Sequence, residues 1–345
     1  MRGDEPLAQK AINALDFAFA IRLGKRRLLH QDTDSILPVS QKPMCGIVGF
    51  FSKEEGARAE VGLTVLGMLR ALGCRGPDSA GVALYGAPDN GRLVVRVKLG
   101  ESGHLESKAR RVEEQMESLG GASQFSSTAA YARFLVSGDT DLSRLADSLE
   151  SLDKDFEVVS IGHQLEIVKQ TGSPDNLEKT YGVSRVTGTH GLGHTRLSTE
   201  SRVDLSHSQP FWAHGFPDLA IVHNGHITNY HQLRRQYEQR GVRFYTENDS
   251  EIVAIYLAAQ LRKGGGLKDA LEGMLRDLDG SYCCLVATNK EFGFVKDPFA
   301  LKPLVMTETA GFVAVATEEI AIRAALPGEY AVREAQVREV RVWQK

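Results

Sequence analysis

Apolar positions along this chain fall into short runs separated by polar and glycine-rich breaks. Continuous or alternating runs in "GIVGFF" (46–51), "SAGVALYG" (79–86), "RLVVRVKL" (92–99), "GSYCCLVATNKEFGFVKD" (280–297), "PLVMTE" (303–308) and "GFVAVAT" (311–317) predict strands. Helical spacing appears in "EVGLTVLGMLRALG" (60–73), which stops at Gly73, and again near 229–240 and 250–263. A middle region, about 101–187, mixes two charged helices ("LESKARRVEEQMESLG" and "DLSRLADSLESL") with the strand-like "AYARFLVSG" and "FEVVSIGHQLEIVKQTG". It carries no reactive constellation. The layout predicts two sheets covered by helices, with no internal repeat and no low-complexity linker.

Composition narrows the class. At 345 residues the chain suits one large domain or two smaller ones. Lys and Arg number 41 against 44 Asp and Glu, so no basic footprint for nucleic acid or an anionic membrane is present. No apolar stretch reaches the roughly 18 residues that span a bilayer. The four cysteines, Cys45, Cys74, Cys283 and Cys284, form no C-x-x-C pair, which predicts neither a disulfide framework nor a zinc knuckle and points to a reducing, cytoplasmic setting. Ahead of Cys45, residues 1–44 place a short apolar patch before a basic cluster, the reverse of a secretory signal. They are expected to be a removed pro-segment or a start assigned too early.

Four stretches can carry chemistry. "KPMCGIVG" puts Cys45 behind a methionine and ahead of a glycine. Trimming to Cys45 would leave its α-amine, with a reference pKa near 7.7–8.0, beside a thiol near 8.5, so one residue would supply nucleophile and base; the alternative is a cysteine in the core. "GHTRLST" sets Arg196 past a strand, either as a surface arginine or as a bidentate clamp for a carboxylate. "IVHNGHITN" contains Asn224-Gly225, a tight-turn signal that also offers an amide side chain and a glycine N–H as paired oxyanion donors. His223 and His226 flank it, but a zinc site would need His207 or His214 at no recognised spacing, so no metal is expected. "TENDSEIVAIYL" opens a helix with Asp249 or Ser250 as N-cap, and Asp249 is also placed to accept an ammonium group. One arginine and one carboxylate at suitable separation select an α-amino acid.

The series "MCGIVG", "RGPDSAG", "GHTRLST", "HNGHITN" and "NDSE" resembles the class II, N-terminal-nucleophile glutamine amidotransferases over residues 45 to about 325. The resemblance implies an α+β fold, a four-layer αββα sandwich of two antiparallel sheets between helix layers, with about 101–187 as an insertion. It implies L-glutamine as substrate and Cys45 as nucleophile, attacking the side-chain amide to form a thioester and release ammonia. Arg196 would bind the α-carboxylate, Asn224 and Gly225 the oxyanion, and Asp249 the α-amine. Arg75, in "RGPDSAG", would have a supporting role. The long middle region and the "QPF" step resemble the glutamate-synthase branch, and Leu197 follows Arg196 where several members carry an aromatic residue. No cofactor is expected in this chain; FMN and an iron–sulfur cluster would belong to synthase partners, an FMN-binding barrel and a glycine-rich β-helix, in a glutamate-synthase-like or N-methylglutamate-synthase-like assembly. Two other classes stay open: a non-catalytic regulatory or scaffolding subunit, and an N-terminal-nucleophile hydrolase of another amide.

Overall fold

The computed structural model describes residues 45–54, 59–87, 91–119, 123–198 and 202–345; the stretch 1–44, expected to be removed or untranslated, lies outside the described residues. In chain order, β1 (Gly46–Ser52), α1 (Val61–Ala71), β2 (Ser79–Tyr85) and β3 (Leu93–Lys98) lead into α2 (Leu105–Ser118), β4 (Ser123–Thr128), β5 (Tyr131–Val136) and α3 (Leu142–Glu150). Then come β6 (Glu157–Gly162), β7 (Leu165–Thr171), α4 (Pro174–Tyr181), β8 (His190–Arg196), β9 (Phe211–Trp212) and β10 (Ala220–Ile227). Helices α5 (Tyr230–Glu238), α6 (Asp249–Arg262) and α7 (Leu267–Asp277) precede β11 (Gly280–Ala287) and β12 (Glu291–Lys296). The rest is β13 (Val305–Glu308), β14 (Phe312–Ala316), α8 (Glu319–Ala325), β15 (Arg333–Glu334) and β16 (Val340–Gln344).

Two antiparallel sheets face each other, ordered β15-β13-β14-β1-β8-β2-β7 and β16-β12-β11-β10-β9. Strand alternation sorts their side chains. Ile47, Phe51, Leu192, Val222, Leu285 and Phe292 are buried between the sheets, where Phe51 stacks on Phe292 at 6.1 Å. Two polar groups cross this layer fully bonded. Tyr85 donates to the Ala287 carbonyl at 2.7 Å, and His190 donates through Nε2 to the Thr288 carbonyl at 2.7 Å. On the outer face of the second sheet, Ile221, Cys284, Val286 and Val295 share a separate core with α6 and α7. On the outer face of the first, α1 comes so close that a Cβ on Gly193 would stand 2.9 Å from Leu69. The result is the four-layer αββα sandwich, with α8 packed beside α1.

A third sheet, ordered β4-β5-β3-β6, corrects the expected boundary of the insertion. It takes in Leu93–Lys98, which the apolar pattern identified as a strand without identifying its neighbours, and it leaves β7 and α4 to the main sandwich. The excursion therefore runs from 93 to 162 rather than 101–187. Ionic and backbone bonds fasten it to the core. Glu166 of β7 pairs with Arg96 at 2.6 Å and Arg133 at 2.9 Å, and the buried Asp218 carboxylate accepts backbone N–H bonds from His163, Gln164 and Leu165 at 2.9–3.0 Å.

Candidate active site

Cys45 stands just before β1, whose first residue, Gly46, pairs with Thr195 at the end of β8. Thr317 holds this strand end: Ile47 N–H donates to Thr317 Oγ1 at 2.9 Å, and Thr317 N–H returns to the Ile47 carbonyl at 2.9 Å. The half-buried Cys45 sulfur then meets the backbone of Leu197, accepting from its N–H at 3.4 Å and lying 3.6 Å from its carbonyl oxygen. Burial pushes the thiol up, and the Leu197 N–H and the Arg196 charge, with a smaller part from Lys302, work against that shift. A thiol so placed needs a local base to become a nucleophile.

From the opposite sheet, Asn224 of β10 reaches across and donates through Nδ2 to the Cys45 carbonyl at 3.0 Å. This single bond joins residues 179 apart in sequence. One carboxamide carries two N–H donors, so the second is left for another acceptor beside Cys45. Gly225, next in the strand, has φ +141° and runs so close to β11 that a Cβ would stand 2.1 Å from the Ser281 carbonyl. No other residue fits there without moving β11.

Arg196 is the last residue of β8 and is buried. Its Nη1 donates to the Arg202 carbonyl at 2.7 Å and Nη2 lies 3.5 Å from Ser198 Oγ. The "RGPDSAG" loop wraps this strand end through Asp78: its N–H donates to the Arg196 carbonyl at 3.0 Å, and its carboxylate accepts from Ser198 N–H at 2.6 Å. Arg75, expected to support the nucleophile, makes no hydrogen bond to Cys45 among the described residues. It pairs with Glu318, the neighbour of Thr317, and its Nε is buried without a hydrogen-bond partner.

Asp249 begins α6 but does not cap it. Asn248 is the N-cap, accepting from Ser250 N–H at 3.0 Å, which corrects the expectation that Asp249 or Ser250 caps. The Asp249 carboxylate instead accepts from Ile227 N–H at 2.9 Å, two residues beyond Gly225, and lies 3.8 Å from His223 Nδ1. Cys45, Arg196 and Asn224 are thus brought into direct contact or next-neighbour relation, and Asp249 is tied to the strand that carries Asn224.

The four histidines do not converge. His223 is buried with Nδ1 2.9 Å from Ser250 Oγ, and His226 is exposed three residues along the strand. His207 pairs with Asp204 at 2.7 Å, and His214 stacks on Tyr245 with centroids 4.0 Å apart. Among the described residues no group of three or more His, Cys, Asp or Glu is arranged to hold a metal ion. Among the same residues no helix is long and apolar enough to cross a membrane. Sequence reasoning passed over Asp78, Thr317 and Gln209, although Asp78 and Gln209 stood inside quoted motifs.

Residues 194–324 match the glutamine amidotransferase domain family. A glutamine amidotransferase-like protein, GlxB, of Rhizobium meliloti is 36% identical over 278 residues, 80% of this chain and 89% of that protein. A putative glutamine amidotransferase of Methanothermobacter thermautotrophicus is 34% identical over 307 residues, 87% of this chain and 100% of that one. Among solved structures, the allosteric regulatory enzyme of purine biosynthesis superimposes with a TM-score of 0.54 at 20% identity, covering 87% of this chain and 49% of that one.

Proposed function

The chain belongs to the class II glutamine amidotransferases, and from that premise we propose that it hydrolyses L-glutamine through a thioester on Cys45. Arg196 binds the α-carboxylate of glutamine and Asp249 its α-ammonium. The α-amine of Cys45, free in a chain that begins at that residue, takes the thiol proton as the sulfur attacks the side-chain amide carbon. The oxyanion that forms is met by the second N–H of Asn224 and the N–H of Gly225. Collapse of this intermediate breaks the C–N bond, and the proton held on the amine goes to the departing nitrogen, giving ammonia. Water then attacks the thioester by the same route and frees glutamate. The net change is glutamine plus water to glutamate plus ammonia.

The observation that carries this reading is the 3.0 Å bond from Asn224 Nδ2 to the Cys45 carbonyl, which puts an amide donor against the nucleophile. The test joins two measurements on one preparation: intact mass, and glutamine hydrolysis by the wild type and Cys45→Ala. An active chain beginning at Cys45, with activity lost in a folded Cys45→Ala variant, is the expected result. Activity in a chain whose Cys45 nitrogen remains in a peptide bond overturns the mechanism.

The ammonia produced goes to a synthase subunit of the glutamate-synthase or N-methylglutamate-synthase type, which carries the flavin. Support for this comes from the "QPF" step and from the long excursion between β2 and β8, features by which the sequence resembles that branch. Purification of native complexes followed by an absorbance scan for flavin tests it, and a partner without flavin refutes it.

A further inference from the structure

Gln209 lies in the segment leading into β9, buried and outside the groups assigned to glutamine. Its carboxamide makes three buried hydrogen bonds. Oε1 accepts from His223 N–H at 2.6 Å, while Nε2 donates to the His223 carbonyl at 2.8 Å and to Ser250 Oγ at 3.1 Å. The first two are the pair of bonds that a neighbouring strand would supply. Strand β9 pairs with β10 only at Phe211↔Ile221 and Trp212↔Ala220. Beyond that point the Gln209 side chain stands in for backbone, and β10 stays bonded on this edge up to the residue that precedes Asn224.

The third bond leads elsewhere. Ser250 also lies 2.9 Å from His223 Nδ1 and sits in the first turn of α6, directly after Asp249. One carboxamide therefore joins the strand carrying Asn224 and Gly225 to the helix end carrying Asp249. No backbone group of β9 can take both positions, because that strand ends at Phe211–Trp212.

We propose that Gln209 is a positioning residue for the oxyanion donors: it fixes the register and height of β10 at His223, so that Asn224 and Gly225 face the carbon that Cys45 attacks. This rests on the reading of the Cys45 site above. A misplacement of about 1 Å at such donors costs on the order of 10²-fold in rate. Their charge partner exists only in the transition state, so the loss falls on kcat rather than KM.

The test compares matured wild type with Gln209→Glu, in which an acceptor replaces the N–H donors and opposes the His223 carbonyl, and with Gln209→Met, which keeps the length without polarity. Glutamine kcat is expected to fall about 10- to 100-fold with KM within about twofold, while the rate of Cys45 alkylation by iodoacetamide, which needs no oxyanion donors, stays unchanged. Unchanged kcat, a rise in KM alone, or a parallel loss of alkylation overturns the proposal. Hydrogen exchange at the His223 amide in wild type keeps the question open to test if both variants fail to fold: slow exchange is expected, and exchange at the rate of an unbonded amide refutes it. A wild type that hydrolyses no glutamine sinks the proposal together with the function it rests on, whereas active wild type with equally active variants sinks the proposal alone.

Discussion

Asn224 spends one N–H on the Cys45 carbonyl and has one left, so its removal should cost turnover more than binding. Asn224→Ala is expected to slow glutamine hydrolysis by on the order of 10²–10³ with KM little changed, measured by steady-state ammonia release. A large rise in KM at constant kcat would move Asn224 from the oxyanion to the ground-state substrate. The residues of this site were unequally legible. Cys45, Arg196, Asn224 and Asp249 stand out in the sequence by chemical type and motif. Asp78 works through a bond to Ser198, 120 residues away, and only the wrapping of its loop round the end of β8 gives it a role. The cap of α6 is ambiguous in the sequence for a related reason: "TENDSE" offers three adjacent residues able to cap, and the choice depends on Asp249 being taken by Ile227 N–H.

Among the elements, the segment between β8 and β9 links the insertion sheet to the clamp. Arg202 supplies the carbonyl that Arg196 donates to, Leu205 N–H donates to Glu101 at 2.7 Å, and Ser206 bonds both Glu157 and Lys98. Burial alone would push the Glu157 carboxyl up, but the ammonium charges of Lys98 and Lys169 overcome it and hold the group at about 2. Lys98→Met leaves that carboxylate buried with one cation fewer, which loosens the segment. If the loosening costs about 1 kcal/mol of clamp order, glutamine KM rises about fivefold while kcat holds. Steady-state kinetics of this variant check it; an unchanged KM would make the insertion a bystander. Apolar periodicity located the strands of this insertion but not the sheet they join, because a hydrophobic run states that a strand is buried and not what covers it.

In the whole molecule, four desolvated histidines, the buried His190, His194 and His223 and the half-buried His214, set the acid limit of the fold. Desolvation lowers His223, and it brings His190 and His194 to about 3 and His214 to about 4, so these last three stay neutral in the folded chain at pH values where the unfolded chain binds protons, near 6.5 and below. The unfolded state then holds more protons, and stability must fall as pH drops from about 6.5 toward 4, by about 1.4 kcal/mol per pH unit for each group. Urea unfolding at pH 7.5, 6.0 and 5.0 should give falling midpoints, and His190→Gln should flatten the trend by one proton. A flat profile would mean that these rings already carry charge in the fold. Two sheets covered by helices were readable from the strand and helix runs and the four-layer sandwich from the family resemblance, whereas the pairing order β14-β1-β8, which brings "MCGIVG" beside "GHTRLST", needed the register.

Cys45 hangs from one sheet and Asn224 from the other, joined across the gap by one carboxamide bond. Reactivity here is consequently a gauge of how the two halves are seated, and it should fade in mild denaturant before any spectroscopic sign of melting. The same arrangement hands a lever to whatever docks on either outer helix layer: a slight tilt of one half against the other could throttle nitrogen release without an atom of the visitor coming near the sulfur.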